Sequence, residues 1–146
     1  MPLNPLVSWR RRLTALLAVA TGGGLGALAR FGVVEAWPTT VVAFHWPTFV
    51  INVCGCLLIG SLMEVCAHRG WRTLQIFAGA GVLGGFTTFA GYSVQVHGLI
   101  PSHWDIAIAY LVATPIAALL ATMAGVAIGG AVTRRFSVDA PPGVES

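Results

Sequence analysis

The sequence predicts an all-α integral membrane protein with four transmembrane helices. Of its 146 residues, 56% are hydrophobic and 9% are charged, which is outside the range of soluble domains. Four apolar runs divide the chain, each near the roughly 20 residues that cross a bilayer core. The five tryptophans fall at the ends of these runs, where indole rings sit in the headgroup layer of a membrane.

The predicted organisation is one membrane domain between two short terminal segments. A basic amino-terminal segment covers residues 1–12, and residues 13–133 hold helices at about 13–35, 46–66, 73–96 and 104–132. Residues 134–146 contain two prolines and no apolar period, so a disordered tail is expected there. A cleaved signal peptide is the alternative for the beginning of the chain, and it is disfavoured because no soluble domain follows residue 29.

Composition excludes several classes of function. All eight basic residues are arginine, and the net charge of +3 is better explained by arginines that flank a membrane than by nucleic-acid binding. Cys54, Cys56 and Cys66 have no metal-ligand spacing and are expected to be buried apolar side chains. No nucleophile, base and acid are grouped, and no phosphate loop or cofactor motif is present, so an enzyme is not expected.

The third apolar run is rich in glycine and is predicted to break. Five glycines between Gly79 and Gly91 each cost a helix interior about 1 kcal/mol relative to alanine. Irregular backbone at membrane depth must be buried by protein or line a wet cavity, and its free carbonyls can bind an ion. Phe89 and Tyr92 are three residues apart and share one face if the helix resumes after the break.

Two polar side chains lie inside the other runs. Asn52 needs a partner in the membrane, and either bonding between helices or donation to an anion would supply it. Arg30 either reaches the interface or faces protein and water. Pairs of glycines four residues apart, at Gly22 with Gly26 and at Gly125 with Gly129, predict two faces for close helix packing.

Three motifs resemble those of one known family. Gly84-Gly85-Phe86-Thr87-Thr88-Phe89 resembles the third-helix motif of the small bacterial fluoride channels, the Fluc or CrcB family. The stretch from Gly23 to Phe31 resembles the first-helix motif of that family, and the stretch from Thr48 to Gly60 resembles the second. The three motifs stand in the family's order and the resemblance covers nearly the whole chain.

The resemblance implies a passive fluoride channel that lowers cytoplasmic fluoride from the cell membrane of a bacterium. It implies an antiparallel dimer, formed with a second copy or a related chain, with two fluoride pathways and a structural sodium ion at its centre. Backbone carbonyls of Gly84 and Thr87 would bind the sodium ion, and Arg30 would have a structural or vestibule role. The residues carried over to the fluoride pathway are Asn52, Thr88, Phe89, Tyr92, Tyr110 and Thr114.

One departure and two alternatives remain open. The family usually has phenylalanine where this chain has Tyr92, whose hydroxyl could donate to fluoride or mark a pore that has decayed. A small multidrug exporter would need a carboxylate inside the membrane, whereas Glu35 and Glu64 are predicted at helix ends. A membrane scaffold subunit would leave Asn52 and the broken third helix without a purpose.

The arginines predict a single orientation in the membrane. With the amino terminus inside, seven arginines are cytoplasmic, and the two outer loops within 37–46 and 97–104 contain none. The positive-inside rule then fixes the topology. An antiparallel dimer would therefore require a related chain of opposite charge bias.

Overall fold

The third transmembrane span differs from the other three because it is assembled from short helices. The computed structural model describes residues 5–39 and 44–138, and all its elements in these ranges are helical. They are α1 (Pro5–Ala36), α2 (Trp46–Arg69), α3 (Arg72–Leu74), a π-helix (Gln75–Leu83), α4 (Gly84–Phe86), α5 (Phe89–Leu99) and α6 (Trp104–Val138).

Four helical stretches in the described residues are long and apolar enough to cross a membrane. They are Trp9–Ala36, Trp46–Arg69, Arg72–Leu99 and Trp104–Arg135. The predicted all-α class with four spans is therefore confirmed, and the chain is a multi-pass membrane protein.

The terminal segments differ from the prediction. α1 begins at Pro5, so the described part of the basic segment is helical, in keeping with the tolerance of proline at the first position of a helix. α6 continues to Val138, so disorder beginning at residue 134 is wrong for residues 134–138. No glycine or proline lies between Val132 and Val138, and the helix has no local reason to stop there. Residues 139–146 lie outside the described residues.

Glycines let pairs of helices approach closely. α1 packs along the π-helix, and α2 packs along α6. A methyl group added at Gly26 would collide with the carbonyl oxygen of Val82, and one added at Gly22 would lie 2.6 Å from the carbonyl oxygen of Phe77. A methyl group added at Gly125 of α6 would likewise collide with the carbonyl oxygen of Leu57 on α2. Both predicted glycine packing faces are confirmed.

The third span breaks inside the glycine-rich stretch, at two threonines that lie between Gly85 and Gly91. Gly79 and Gly81 stay in the π-helix, where they are buried, and the chain becomes extended at Thr87 (ψ 155°) and Thr88 (φ −146°, ψ 121°). Gly85 serves close packing, because a methyl group added there would collide with the backbone of Gly23 on α1. A broken third helix is thus confirmed, with the break at Thr87 and Thr88, directly before Phe89.

The cysteines only partly follow the expectation of burial. All three are free thiols; Cys66 is buried, Cys56 is half-buried and Cys54 is exposed. The expectation is therefore wrong for Cys54. Lipid tails are as apolar as a protein core, so a small apolar side chain is tolerated on the outside of a membrane helix.

Candidate functional site

Asn52 of α2 holds the break in the third span. Its Nδ2 donates to the carbonyl oxygen of Thr88 at 3.1 Å, and its Oδ1 accepts from the backbone N–H of Thr88 at 2.8 Å. In a continuous helix this N–H would bond the carbonyl of Gly84, so Asn52 replaces a lost helical partner. The contact between helices is therefore present, and one of the two hydrogens on Nδ2 is left for another acceptor.

The two threonines at the break have different roles. Thr88 caps α5, since its Oγ1 accepts from the backbone N–H of Gly91 at 3.0 Å. Thr87 donates from Oγ1 to the carbonyl of Leu83 at 3.1 Å, and its methyl group lies against Gly55 of α2. The Thr87 side chain is thus engaged with protein, while the extended backbone turns its carbonyl out of the helical direction.

A groove of about 760 Å³ opens beside the break, between α2, α5 and α6. Five of the six residues predicted for the pathway line it: Asn52, Thr88, Phe89, Tyr92 and Thr114. Phe89 is 80% exposed, so its ring stands free at the groove rather than in the core. The structure therefore brings together side chains that are up to 62 positions apart in the sequence.

Among the described residues that line this groove, Thr114 is the buried polar side chain that lacks a partner. Its side chain is 3% exposed, and its Oγ1 is buried without a hydrogen bond. Threonine in a membrane helix usually bonds its own backbone, as Thr122 does through the carbonyl of Ala118 at 3.0 Å. A buried hydroxyl without a partner is costly, which makes Thr114 a candidate for contact with a ligand.

Tyr110 lies beside the groove and not on it. The side chain is completely buried, and its hydroxyl donates to Oε1 of Gln95 at 2.8 Å. Gln95 in turn donates from Nε2 to Oγ1 of Thr48 at 2.9 Å, which ties α5 to α2 and α6. Gln95 and Thr48 were not among the predicted site residues. An amide inside an apolar run was the available signal, since the same reasoning selected Asn52.

Tyr92 joins the groove to the core. Its ring packs 5.9 Å from the ring of Phe89 and in a T-shaped contact 5.2 Å from the ring of Tyr110, measured between centroids. The predicted shared face of Phe89 and Tyr92 is confirmed. The Tyr92 hydroxyl donates to the backbone carbonyl of Leu111 at 2.6 Å.

Arg30 reaches across to the third span. The half-buried side chain donates from Nε to the carbonyl of Gly85, with 3.4 Å between the two atoms. Of the two interpretations of this arginine, contact with protein is the one that the structure contains. The contact lies on α4, directly before the break.

The acidic side chains of the described residues lie near helix ends. Glu35 is next to the last residue of α1, and Asp105 is in the first turn of α6. Glu64 lies near the end of α2 and pairs with His68, with 3.0 Å between Oε1 and Nε2. None of these three carboxylates lines the groove beside the break.

Four spans and a groove with polar groups at a helix break define a multi-pass membrane protein with a polar site inside its membrane region. The chain belongs to the CrcB family, because the family model described as "CrcB-like protein, Camphor Resistance (CrcB)" matches residues 17–126. This range contains every candidate site residue, and the family predicted from the three motifs is confirmed.

Curated relatives of the chain carry the name fluoride-specific ion channel. FluC 2 of Nocardia farcinica is 43% identical over 137 residues, covering 91% of this chain and 89% of the relative. FluC 1 of Streptomyces coelicolor is 43% identical over 116 residues, covering 77% and 75%. FluC 2 of Thermobifida fusca is 44% identical over 112 residues, covering 75% and 83%.

Proposed function

We propose that the protein is a fluoride-selective passive ion channel that lowers cytoplasmic fluoride. The observation that carries the proposal is the groove at the helix break, which is lined by both Thr114, whose buried hydroxyl has no partner, and the exposed ring of Phe89. The identity of the anion comes from the relatives, which are named fluoride-specific ion channels. No reaction chemistry is required of a channel, so the protein is not an enzyme.

The groove offers replacements for the hydration shell of fluoride. Fluoride is small and strongly hydrated, so it leaves water only where donors take the place of water. Thr114 can donate its hydroxyl hydrogen, and Asn52 can donate its second amide hydrogen. Phe89 can turn the positive edge of its ring toward the anion. Tyr110 supports this wall from behind through its bond to Gln95.

An antiparallel dimer would close the groove. Four spans make too thin a bundle to enclose a polar path, and the described residues leave Phe89 80% exposed. In the dimer a second copy or a related chain of opposite topology lies over the groove of its partner. Two grooves then give two separate fluoride pathways.

A structural sodium ion fits the backbone at the break. Gly84 has lost its helical donor to Asn52, and the carbonyl of Thr87 belongs to extended backbone. Hard cations prefer such oxygen ligands, and two copies of each carbonyl at a dimer centre would give four. When bound, the ion supplies positive charge between the two pathways. Replacing sodium by N-methylglucamine should lower the thermal midpoint of the dimer, and an unchanged midpoint would argue against the site.

Fluoride efflux from liposomes tests the proposed function. To provide both orientations, the chain is expressed together with a copy in which Arg10, Arg11 and Arg12 are replaced by serine and three arginines are added to the loop at 100–103. We expect rapid fluoride efflux without ATP or a proton gradient, and little chloride efflux. Comparable rates for the two anions would contradict the proposal.

Two phenylalanine variants make the efflux measurement specific to the groove. Phe89→Ile removes the ring edge from the groove and should abolish fluoride efflux. Phe31→Ile changes another exposed ring, 63% accessible on α1 and outside the groove, and should conduct like the unmodified chain. Both variants should elute as folded dimers.

A further inference from the structure

Pro115 leaves a backbone carbonyl without its helical donor in the middle of a membrane span. The residue lies inside α6, which continues on both sides of it. Proline has no backbone N–H, so the carbonyl of Leu111, four residues earlier, cannot receive the usual helical hydrogen bond. Lipid tails offer no donor that could replace that bond. The carbonyl therefore needs a donor from another part of the protein.

Tyr92 provides that donor. Its hydroxyl lies 2.6 Å from the carbonyl oxygen of Leu111, and its side chain is only 5% exposed. The bond joins α5, which begins at Phe89, to the part of α6 that carries Thr114. A phenylalanine at position 92 would fill the same space and leave the carbonyl of Leu111 unpaired.

We propose that Tyr92 is a positioning residue whose hydroxyl completes the helix at Pro115 and thereby fixes the spacing between Phe89 and Thr114. The hydroxyl is committed to the protein backbone and does not donate to the anion. Tyr92 and Pro115 are a matched pair: tyrosine is needed because proline is present. The expected effect of Tyr92 on conduction rests on the proposed channel function, whereas the pairing of Tyr92 with Pro115 does not.

The hydroxyl of Tyr110 makes the neighbouring bond between the same two helices. It donates to the side chain of Gln95 on α5 and is independent of the carbonyl freed by Pro115. The effect of losing this hydroxyl should therefore be the same with proline or with alanine at position 115. Tyr110→Phe is for this reason the matched control.

A double-mutant cycle tests the pairing. Tyr92→Phe, Pro115→Ala, the double variant and the unmodified chain are compared by thermal midpoint and by fluoride efflux, each with the charge-reversed copy present. Tyr92→Phe alone should lower the midpoint by about 5 °C, since an unpaired buried carbonyl is expensive, and should slow fluoride efflux several-fold. Alanine at position 115 restores an N–H for Leu111, so Tyr92→Phe should then change neither quantity, and efflux should recover.

Three outcomes would overturn the inference. One is an equal loss of thermal stability from Tyr92→Phe with proline or alanine at position 115. Another is an unchanged midpoint with loss of fluoride efflux, which would make the hydroxyl an anion donor. The third is rescue of Tyr110→Phe by Pro115→Ala, which would make the rescue unspecific. If no variant conducts fluoride, including the unmodified chain, the proposed function fails while the thermal cycle still decides the pairing.

Discussion

Threonine hydroxyls in α1 and α6 fall into two groups. Thr14, Thr21 and Thr122 donate to carbonyls three or four residues earlier in their own helices. Thr114 does not, and its buried hydroxyl has no partner. The sequence could not separate these residues, because all four have the same chemistry in similar apolar surroundings. What distinguishes Thr114 is the groove, which forms only after α5 and α6 are packed together.

Replacement of the unpartnered hydroxyl should affect conduction more than folding. Thr114→Val keeps the shape of the side chain and removes one donor to the anion, so we expect about a tenfold slower fluoride efflux. Thr122→Val is the matched control, because Thr122 also lines the groove but its hydroxyl donates to the backbone carbonyl of Ala118. Its efflux should stay close to that of the unmodified chain. Equal losses in the two variants would remove Thr114 from the pathway.

At the scale of the helices, hydropathy and glycine content predicted four spans and a break in the third. The position of the break could not be predicted in the same way. Glycine lowers the stability of an isolated helix, but Gly79 and Gly81 are buried in helical backbone, where Gly81 packs on α1. The break instead occurs where Asn52 takes both backbone groups of Thr88. The position of the break therefore depends on a contact between residues that are 36 positions apart in the sequence.

Close contact between α1 and the third span should not tolerate a single methyl group. Gly26→Ala would force the added carbon into the backbone of Val82 and Phe86, neither of which can move as a side chain could. We expect loss of the folded protein peak, measured by size-exclusion chromatography in detergent. Gly24→Ala, where an added carbon meets nothing within 4 Å, should fold normally. Normal folding of both variants would contradict the packing described for α1.

At the scale of the whole molecule, the fold places the arginines that flank the spans at one end and leaves Arg30 away from them, beside Gly85. Arg10 and Arg11 line a groove with Thr73, so α1 and the third span begin side by side. Gly130 of α6 lies close to Arg134 and to Glu64 near the end of α2. The charge bias predicted from the sequence is therefore a property of one face of the bundle. The orientation of this face toward the cytoplasm remains a prediction.

The chain expressed alone should insert with its amino terminus inside. A cysteine added at either end, in a background with Cys54, Cys56 and Cys66 replaced by alanine, should react only with a reagent supplied from the cytoplasmic side. The lone chain should not conduct fluoride, and conduction should appear with the charge-reversed copy. Labelling from both sides in similar amounts, together with fluoride conduction by the lone chain, would indicate a homodimer of dual topology.

The reversal potential of the current through a planar bilayer tests fluoride-selective passive conduction most directly. The chain and its charge-reversed copy are placed between solutions with opposed gradients of fluoride and chloride, without ATP and at equal pH. The donors of Asn52 and Thr114 and the ring edge of Phe89 in the groove should admit fluoride alone. The current should therefore reverse at the equilibrium potential of fluoride. A reversal near the equilibrium potential of chloride, or the absence of any current, would contradict the proposed channel.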